Sequence, residues 1–288
     1  MAGAGVIVEG DRRRRMRQGL TEDELVSALE GAVYDREFDV EYQPIVRLDG
    51  MVVVRGEALL RWRSPLVGIV DPEVFIPAAE GAGLMEGIGK WVLGRAAQDA
   101  AGWRASIGDV MVAVNVSPKQ FEAGVVMSTV QAALEKSGLP AGMLEIEVTE
   151  GPSAKDFRSE VRALRDAGIA VALDDFGTGY SGYQRLVDWP VTALKIDRRF
   201  VDGGGSTEEL LKRRICSESL FRLGTRLNLT TVAEGLEHAA QVAFVRALGC
   251  TEGQGWVISP PLRHSVTASQ FVQFVRGVKD LASGENDA

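Results

Sequence analysis

The chain has 288 residues, of which 45% are hydrophobic and 25% are charged, and its formal net charge is -8. These proportions are typical of a globular protein, and the negative charge excludes binding to bulk nucleic acid, although it permits a small anion held through metal ions. The sequence contains no apolar run of membrane-spanning length and no secretory signal, so we expect it to be cytoplasmic and without a membrane segment of its own.

Residues 1–20 are predicted to be a flexible linker and residues 279–288 a flexible tail, on either side of one domain over residues 21–278. Small residues and a basic run are typical of such a linker. Thr21 and Glu24 have the spacing of a capping box, which predicts a helix that begins at this point.

Eight strand-like segments follow, and helix-like stretches separate them from the second one onward. The predicted strands are 41–47, 52–60, 110–116, 144–149, 170–174, 193–197, 230–233 and 255–258. The predicted helices are 72–104 (two helices), 118–137, 153–167, 207–227 and 238–248. Asp49 and Gly50 form a turn signal that joins the first two strands into an antiparallel hairpin. The remaining crossovers are those of parallel strands, so the sequence predicts an α/β fold, a (β/α)8 TIM-like barrel with an antiparallel first strand.

Acidic side chains recur where the predicted strands end. Asp174 and Asp175 close one apolar run before a glycine-rich loop, and Glu57, Glu147 and Glu234 have similar positions. The carboxyl ends of parallel strands meet at one rim of a barrel, so these carboxylates are expected to meet there. Two like charges about 4 Å apart repel by roughly 4 kcal/mol at an effective dielectric constant of about 20. The cluster therefore predicts a metal site.

Strand alternation indicates which side chains face the barrel interior. Asn115, Asp174 and Lys195 share the phase of the small or polar positions of their strands, so they should point into the mouth. Each residue also has a structural alternative. A strand-end acid can cap a helix, Asn115 can form an Asx turn, and Lys195 can pair with Asp197 or a core carboxylate. All of these alternatives would have to hold together, so the pattern favours a site.

Seven motifs in order, each at a strand end, carry a resemblance to a known family. They are Glu57-Ala58-Leu59, Asn115-Val116-Ser117, Glu147-Val148-Thr149-Glu150, Asp174-Asp175-Phe176-Gly177, Lys195-Ile196-Asp197, Glu234-Gly235-Leu236-Glu237 and Gln254-Gly255. From about residue 42 to residue 262, the chain resembles the EAL-domain family of bacterial phosphodiesterases, which hydrolyse cyclic di-GMP. The resemblance implies a barrel with an antiparallel first strand and two divalent cations, Mg²⁺ or Mn²⁺. Oxygen ligands suit these ions, whereas zinc prefers histidine and cysteine.

The resemblance also implies roles for individual residues. Six match metal-binding positions: Glu57, Asn115, Glu147, Asp174, Asp175 and Glu234. Three match catalytic positions: Lys195, Glu234 and Glu57. Three match positions near the substrate and its water network: Gln43, Arg61 and Gln254. Two match positions that steady the loop after the aspartate pair: Glu150 and Glu237.

The implied reaction is hydrolysis of cyclic di-GMP to linear pGpG by in-line attack of a water that two metal ions activate. A non-catalytic cyclic-di-GMP receptor is the alternative, and a scaffold that dimerises is a third hypothesis. The chain has the family's residues at the metal-binding and lysine positions, which favours the enzyme. Gly182 departs from the family pattern in the loop. Trp256 lies where the family has an aromatic residue that could stack on a guanine.

The resemblance further implies a homodimer in the bacterial cytoplasm. The first residues resemble the end of an interdomain linker, which would follow a sensor or GGDEF-type domain in a longer parent chain. Such a parent chain could also be attached to a membrane through another domain.

Overall fold

A computed structural model of the protein describes residues 21–32, 37–66, 68–149, 156–179, 182–201, 206–263 and 274. The predicted linker and tail lie outside these residues, so the domain boundaries stay predictions. Within the described ranges, no helix has the length and the apolar character needed to cross a membrane.

The described strands form one sheet that closes on itself as a barrel. They are β1 (Phe38–Arg47), β2 (Val52–Ser64), β3 (Gly68–Val70), β4 (Met111–Asn115), β5 (Leu144–Thr149), β6 (Ala170–Phe176), β7 (Ala193–Ile196), β8 (Thr230–Ala233), β9 (Glu252–Gly253) and β10 (Leu262–Arg263). Strand β1 pairs antiparallel with β2 and β9, and the pairs β2–β4, β4–β5, β5–β6, β6–β7, β7–β8 and β8–β9 are parallel. Strands β3 and β10 add to β2 and β1 outside this ring. The predicted barrel with an antiparallel first strand is confirmed.

Helices follow the strands in the order that the sequence predicts. They are α1 (Glu22–Ala32), α2 (Pro72–Gly81), α3 (Met85–Ile107), α4 (Pro118–Glu122), α5 (Val126–Ser137), α6 (Arg158–Asp166), α7 (Gly182–Asp188), α8 (Thr207–Arg226) and α9 (Ala239–Ala247), with 3₁₀ turns at Ala141–Met143 and Arg198–Phe200. The capping box is confirmed, because the Thr21 backbone N–H donates to Glu24 Oε2 at 2.8 Å and the Glu24 N–H donates to Thr21 Oγ1 at 3.3 Å.

Branched side chains on the strands pack outward against the helices. Val112, Val114, Leu194 and Ile196 are almost fully buried in one hydrophobic core with residues of the surrounding helices. The alternate positions of the same wall carry small or polar side chains, as the strand phase predicts. The barrel interior is therefore a separate compartment, which holds charged groups.

The predicted last strand, 255–258, was wrong. The strand ends at Gly253, and the next residues turn across the end of the barrel. Leu236 holds this turn, because its N–H donates to the Gln254 carbonyl at 3.0 Å and its own carbonyl accepts from the Val257 N–H at 2.9 Å. The apolar residues at 257 and 258 resemble a strand in sequence but lie in this turn.

The predicted single helix over 118–137 was also wrong. It divides into α4 and α5 at Gly124, whose φ of 68° lies in the left-handed region that ends a helix. Three further elements were not predicted: β3, α7 and β10.

Candidate active site

The carboxyl ends of the parallel strands bring the predicted polar residues together at one mouth of the barrel. Lys195 on β7 lies at the centre, and its side chain is only 1% exposed. Its Nζ lies 3.3 Å from Glu57 on β2, 2.9 Å from Glu147 on β5, 3.1 Å from Asp174 on β6 and 2.9 Å from Glu234, directly after β8. Four carboxylates from four parts of the chain therefore converge on one buried ammonium group.

Lys195 remains protonated in this setting. Burial acts to lower its pKa, but Asp174, Glu147, Glu234 and Glu57 together raise the pKa well above the ordinary value of a lysine. An ammonium group in this state donates hydrogen bonds and does not accept a proton near neutral pH.

Glu57 is held by amide groups on both sides. Asn115 Nδ2 donates to Glu57 Oε1 at 2.8 Å, and Gln254 Nε2 donates to Glu57 Oε2 at 2.6 Å. Gln254 Nε2 also lies 2.9 Å from Gln43 Oε1, and Gln43 Nε2 donates to the Ser259 carbonyl at 3.0 Å. Burial acts to raise the pKa of Glu57, but Lys195, Gln254 and Asn115 outweigh it and lower the pKa, so this carboxylate stays ionised.

Glu147 has an oxygen without a partner. Its side chain is fully buried, Oε2 accepts from Lys195, and Oε1 has no hydrogen-bond donor. Burial, together with the charge of Glu57, raises the pKa of Glu147 well above its usual value. A buried carboxylate oxygen that lacks a donor is costly, and a cation in this position would satisfy it.

Two of the carboxylates around Lys195 also belong to a cluster with Asp175. Asp174, Asp175 and Glu234 each offer an oxygen, and these atoms lie within 4.8 Å of one another. Asp175 has a φ of 54°, a left-handed conformation that is uncommon for residues other than glycine, and the pairing of β6 with β7 is irregular between Leu173 and Phe176. This break in the alternation of the strand allows two consecutive carboxylates to approach the same site.

Asp175 and Glu234 have raised pKa values, so they hold their protons more tightly than exposed carboxyl groups do. Burial, with the charges of Asp174 and Asp197, raises the pKa of Asp175 to about 6. Burial, opposed by Lys195 and reinforced by Asp174 and Glu57, raises the pKa of Glu234 to about 8. Buried oxygen donors of like charge fit a hard divalent cation, which would relieve both burial and repulsion.

The structural alternatives for two predicted site residues have different outcomes. Lys195 does pair with core carboxylates, and these are the predicted site residues Glu57 and Glu147. Asp197 does not pair with Lys195, because its Oδ1 accepts from the backbone N–H of Arg199 at 2.9 Å and from Arg199 Nε at 2.8 Å. Asn115 points its amide at Glu57, as described above, and not into an Asx turn.

Other predicted residues lie apart from this cluster. Arg61 Nε donates to Glu41 Oε2 at 2.8 Å. Glu237 is exposed, and its backbone N–H donates to Gln241 Oε1 at 2.8 Å. Glu150 lies outside the described residues. Their assigned roles stay predictions.

Three charged residues in the barrel were missed by the sequence analysis. Arg55, Glu145 and Glu252 are only 6%, 1% and 8% exposed, and Arg55 contacts both carboxylates. For Arg55 and Glu145 the signal was present, because each lies two positions before a predicted site residue on the same predicted strand and so shares its face. Glu252 lay outside the predicted strands, so its phase was not available from the sequence.

The comparisons with known proteins agree with this geometry. The EAL domain family model matches residues 26–261. The chain is 37% identical over 244 residues to the oxygen sensor protein DosP of Escherichia coli. It is 34% identical over 254 residues to the cyclic di-GMP phosphodiesterase NbdA of Pseudomonas aeruginosa. These matches cover 83% and 87% of this chain but 30% and 32% of the two relatives, so the chain spans about a third of their length.

A solved structure of the PaMucR phosphodiesterase in complex with c-di-GMP shares the fold. Its TM-score is 0.76 at 35% sequence identity, and the match covers 83% of this chain and 97% of that chain. Since the family model extends from within α1 to the residue before β10, across the whole barrel, the chain belongs to the EAL-domain family.

Proposed function

We propose that this chain is a phosphodiesterase that hydrolyses cyclic di-GMP to linear pGpG with two divalent cations, Mg²⁺ or Mn²⁺. The observation that carries the proposal is the convergence of Glu57, Glu147, Asp174 and Glu234 on Lys195 at the barrel mouth. The names of NbdA and of the PaMucR complex support this substrate for the related proteins.

The donor set falls into two groups that share Asp174. Glu57, Asn115, Glu147 and Asp174 would hold the first cation, and Asp174 would also contribute to the second. Asp175 and Glu234 complete the second group. When they are ionised, these five carboxylates and one lysine leave four negative charges, which two divalent cations would neutralise. Bound cations would activate a water and neutralise the phosphodiester oxygens.

The side chains of the chain itself hold the reacting groups in place. Lys195, as a protonated donor, would orient the attacking water and stabilise negative charge that develops at the phosphate. Gln254 and Asn115 fix both oxygens of Glu57, so that this carboxylate does not rotate away. A positioned carboxylate loses little conformational entropy when a ligand binds.

The test is incubation of the purified protein with cyclic di-GMP and Mg²⁺ or Mn²⁺, with liquid chromatography of the products. We expect pGpG with either metal and none in EDTA. Asp174→Asn should abolish turnover, whereas Asp109→Asn should not, because Asp109 is an exposed carboxylate that precedes β4 at the opposite end of the barrel. Intact substrate, with binding still measurable by calorimetry, would instead favour the receptor function.

A homodimer is the second part of the proposal. Two pairs of apolar side chains spaced four residues apart lie exposed on helices, Tyr183 and Val187 on α7 and Leu211 and Ile215 on α8. Their exposed fractions are between 55% and 85%, which is high for large apolar side chains. Analytical ultracentrifugation should show a dimer that Val187→Asp or Leu211→Asp converts to a monomer, and a monomeric wild type would reject this part.

A further inference from the structure

A second layer of charge lies inside the barrel below the residues of the proposed site. Arg55 Nη1 donates to both carboxylate oxygens of Glu145, and Arg55 Nη2 donates to Glu252 Oε1 at 3.1 Å. Arg55 Nε also lies 3.1 Å from Glu252 Oε2, as an ion pair without the alignment of a hydrogen bond. One guanidinium group therefore contacts two carboxylates from two other strands.

The lower layer, which consists of Arg55, Glu145 and Glu252, lies on the same strand faces as the upper layer of Glu57, Glu147 and Gln254. Arg55 lies two residues before Glu57 on β2, and Glu145 lies two residues before Glu147 on β5. Glu252 in β9 has the same relation to Gln254. A strand rises about 3.3 Å per residue, so the lower layer lies about 7 Å deeper on the same inner faces.

The strands that the lower layer connects do not pair with one another. Strand β4 lies between β2 and β5, and β1 lies between β2 and β9. Backbone hydrogen bonds therefore fix the distance between β2 and either partner only through an intervening strand. The contacts of Arg55 cross the barrel directly.

The other inner positions at this depth carry apolar side chains. Ala113, Ala172 and Ala193, together with Ile45 on β1 and Val232 on β8, are fully buried and do not belong to the outer hydrophobic core. None of these side chains has a polar atom, so the guanidinium group supplies the polar contacts that join the three strands. Arginine suits this role because its planar head carries five donors, whereas lysine offers one ammonium group.

We propose that Arg55 is a positioning residue: by joining Glu145 and Glu252 across the barrel, it holds β2, β5 and β9 where Glu57, Glu147 and Gln254 converge. The inference rests on the proposed function, because it assigns the lower layer to the placement of cation-binding carboxylates. It goes beyond that function, because Arg55 itself contacts neither a cation ligand of the upper layer nor Lys195 in the contacts described.

The experiment compares Mn²⁺ affinity, measured by calorimetry without nucleotide, in three full-chain proteins. These are the wild type, Arg55→Lys, and a triple variant in which Arg55→Met, Glu145→Gln and Glu252→Gln remove the charges and keep the volume. We expect both variants to bind Mn²⁺ about 10-fold more weakly or worse, as is usual when groups behind metal ligands are changed. The melting temperature of each protein is measured first, and binding is measured well below it.

A matched control separates positioning from stability. Tyr42→Phe removes a partly buried hydrogen bond of 2.7 Å to Asp99 outside the barrel interior, and it should leave the Mn²⁺ affinity unchanged even where it lowers the melting temperature. Variants of the lower layer that bind Mn²⁺ as tightly as the wild type would overturn the positioning role alone. A wild-type protein that binds no Mn²⁺ would overturn both this role and the proposed function.

Discussion

Lys195 and Glu147 form a buried ion pair inside the barrel, with Nζ 2.9 Å from Oε2 and side chains that are 1% and 0% exposed. As ions, both groups lose several kcal/mol of hydration on burial, and each stabilises the charged form of the other. The same ammonium group lies within 3.3 Å of Glu57, Asp174 and Glu234. Lys195 therefore holds together carboxylates that would otherwise repel, at the place where catalysis is proposed.

The first prediction concerns removal of this lysine. Lys195→Met should lower kcat for cyclic di-GMP by about 10²- to 10³-fold, since it removes a preorganised donor from the reacting phosphate. The metal-free protein should lose about 3–5 kcal/mol of stability, because buried carboxylates are left without a counterion. Added Mn²⁺ should restore much of that loss. Product chromatography gives kcat, and urea unfolding with and without Mn²⁺ gives the stability.

Lys212→Met on α8 is the matched control, because Lys212 is 71% exposed and pairs only with Glu208 at the surface in the contacts described. This control should change neither kcat nor stability appreciably. A Lys195→Met protein with wild-type kcat would remove the lysine from the proposed mechanism.

The second prediction concerns the pH dependence of stability in EDTA. The pKa of Glu234 is about 8 in the folded protein and 4.5 without its surroundings. Above about pH 4.5 the unfolded chain releases this proton while the folded protein keeps it, so stability should fall as the pH rises toward 8. Asp175, whose pKa is raised to about 6, adds to the fall at the lower end of this window.

Cations bind the deprotonated carboxylates, so stabilisation by Mg²⁺ should grow over the same pH range. Thermal unfolding at about pH 6 and about pH 8.5, with Mg²⁺ and with EDTA, measures both effects. Glu234→Gln should flatten the metal-free dependence. A metal-free melting temperature that rises between these two pH values would show that Glu234 is not held protonated in the folded state.

The barrel was predictable from sequence because its causes are local. Side chains alternate between the two faces of β4 and β7, and this alternation indicated that Asn115 and Lys195 point inward. Parallel strands end at the same rim, which put Glu57, Glu147 and Asp174 at one mouth. These causes act within one strand or between neighbouring strands, which is the range that a sequence pattern covers.

The parts that were missed depend on contacts between distant segments. Whether residues 255–258 form a strand is decided by Leu236, whose backbone bonds the turn. The strand phase places Arg55 on an inner face, but the sequence does not show its partners, because Glu145 and Glu252 lie 90 and 197 residues away along the chain. The bend at Asp175 likewise follows from tertiary packing and not from its own conformational preference.

The third prediction concerns Gly255, which follows Gln254, the glutamine that donates to Glu57. Its φ is 155°, and a Cβ at this position would lie 2.2 Å from both the N and the O of Leu236. Gly255→Ala should therefore cost about 2 kcal/mol or more, through strain and overpacking. Gly94→Ala in α3 is the control, since a methyl group there would meet no atom within 4 Å beyond its own helix, and alanine favours a helix interior by about 0.5–1 kcal/mol. Equal stabilities of the two variants in urea would contradict the close approach at Leu236.

The fourth prediction concerns Trp256, whose indole ring is 70% exposed next to the Gln254–Gly255 motif. If this ring stacks on a guanine, Trp256→Ala should weaken binding of cyclic di-GMP by about 5- to 150-fold, the range that 1–3 kcal/mol of base stacking supplies. Trp256→Phe should keep part of the affinity. Folding stability should barely change, because the side chain buries little surface.

Calorimetry with Mg²⁺ in a Lys195→Met background measures this affinity without consumption of the substrate. Leu66→Ala is the control, because Leu66 is an apolar side chain of similar exposure, 73%, in the turn between β2 and β3. Leu66→Ala should bind as its background protein does. If Trp256→Ala also binds as tightly as its background, the ring does not contact the base, and its exposure then has to be explained by another partner of this face.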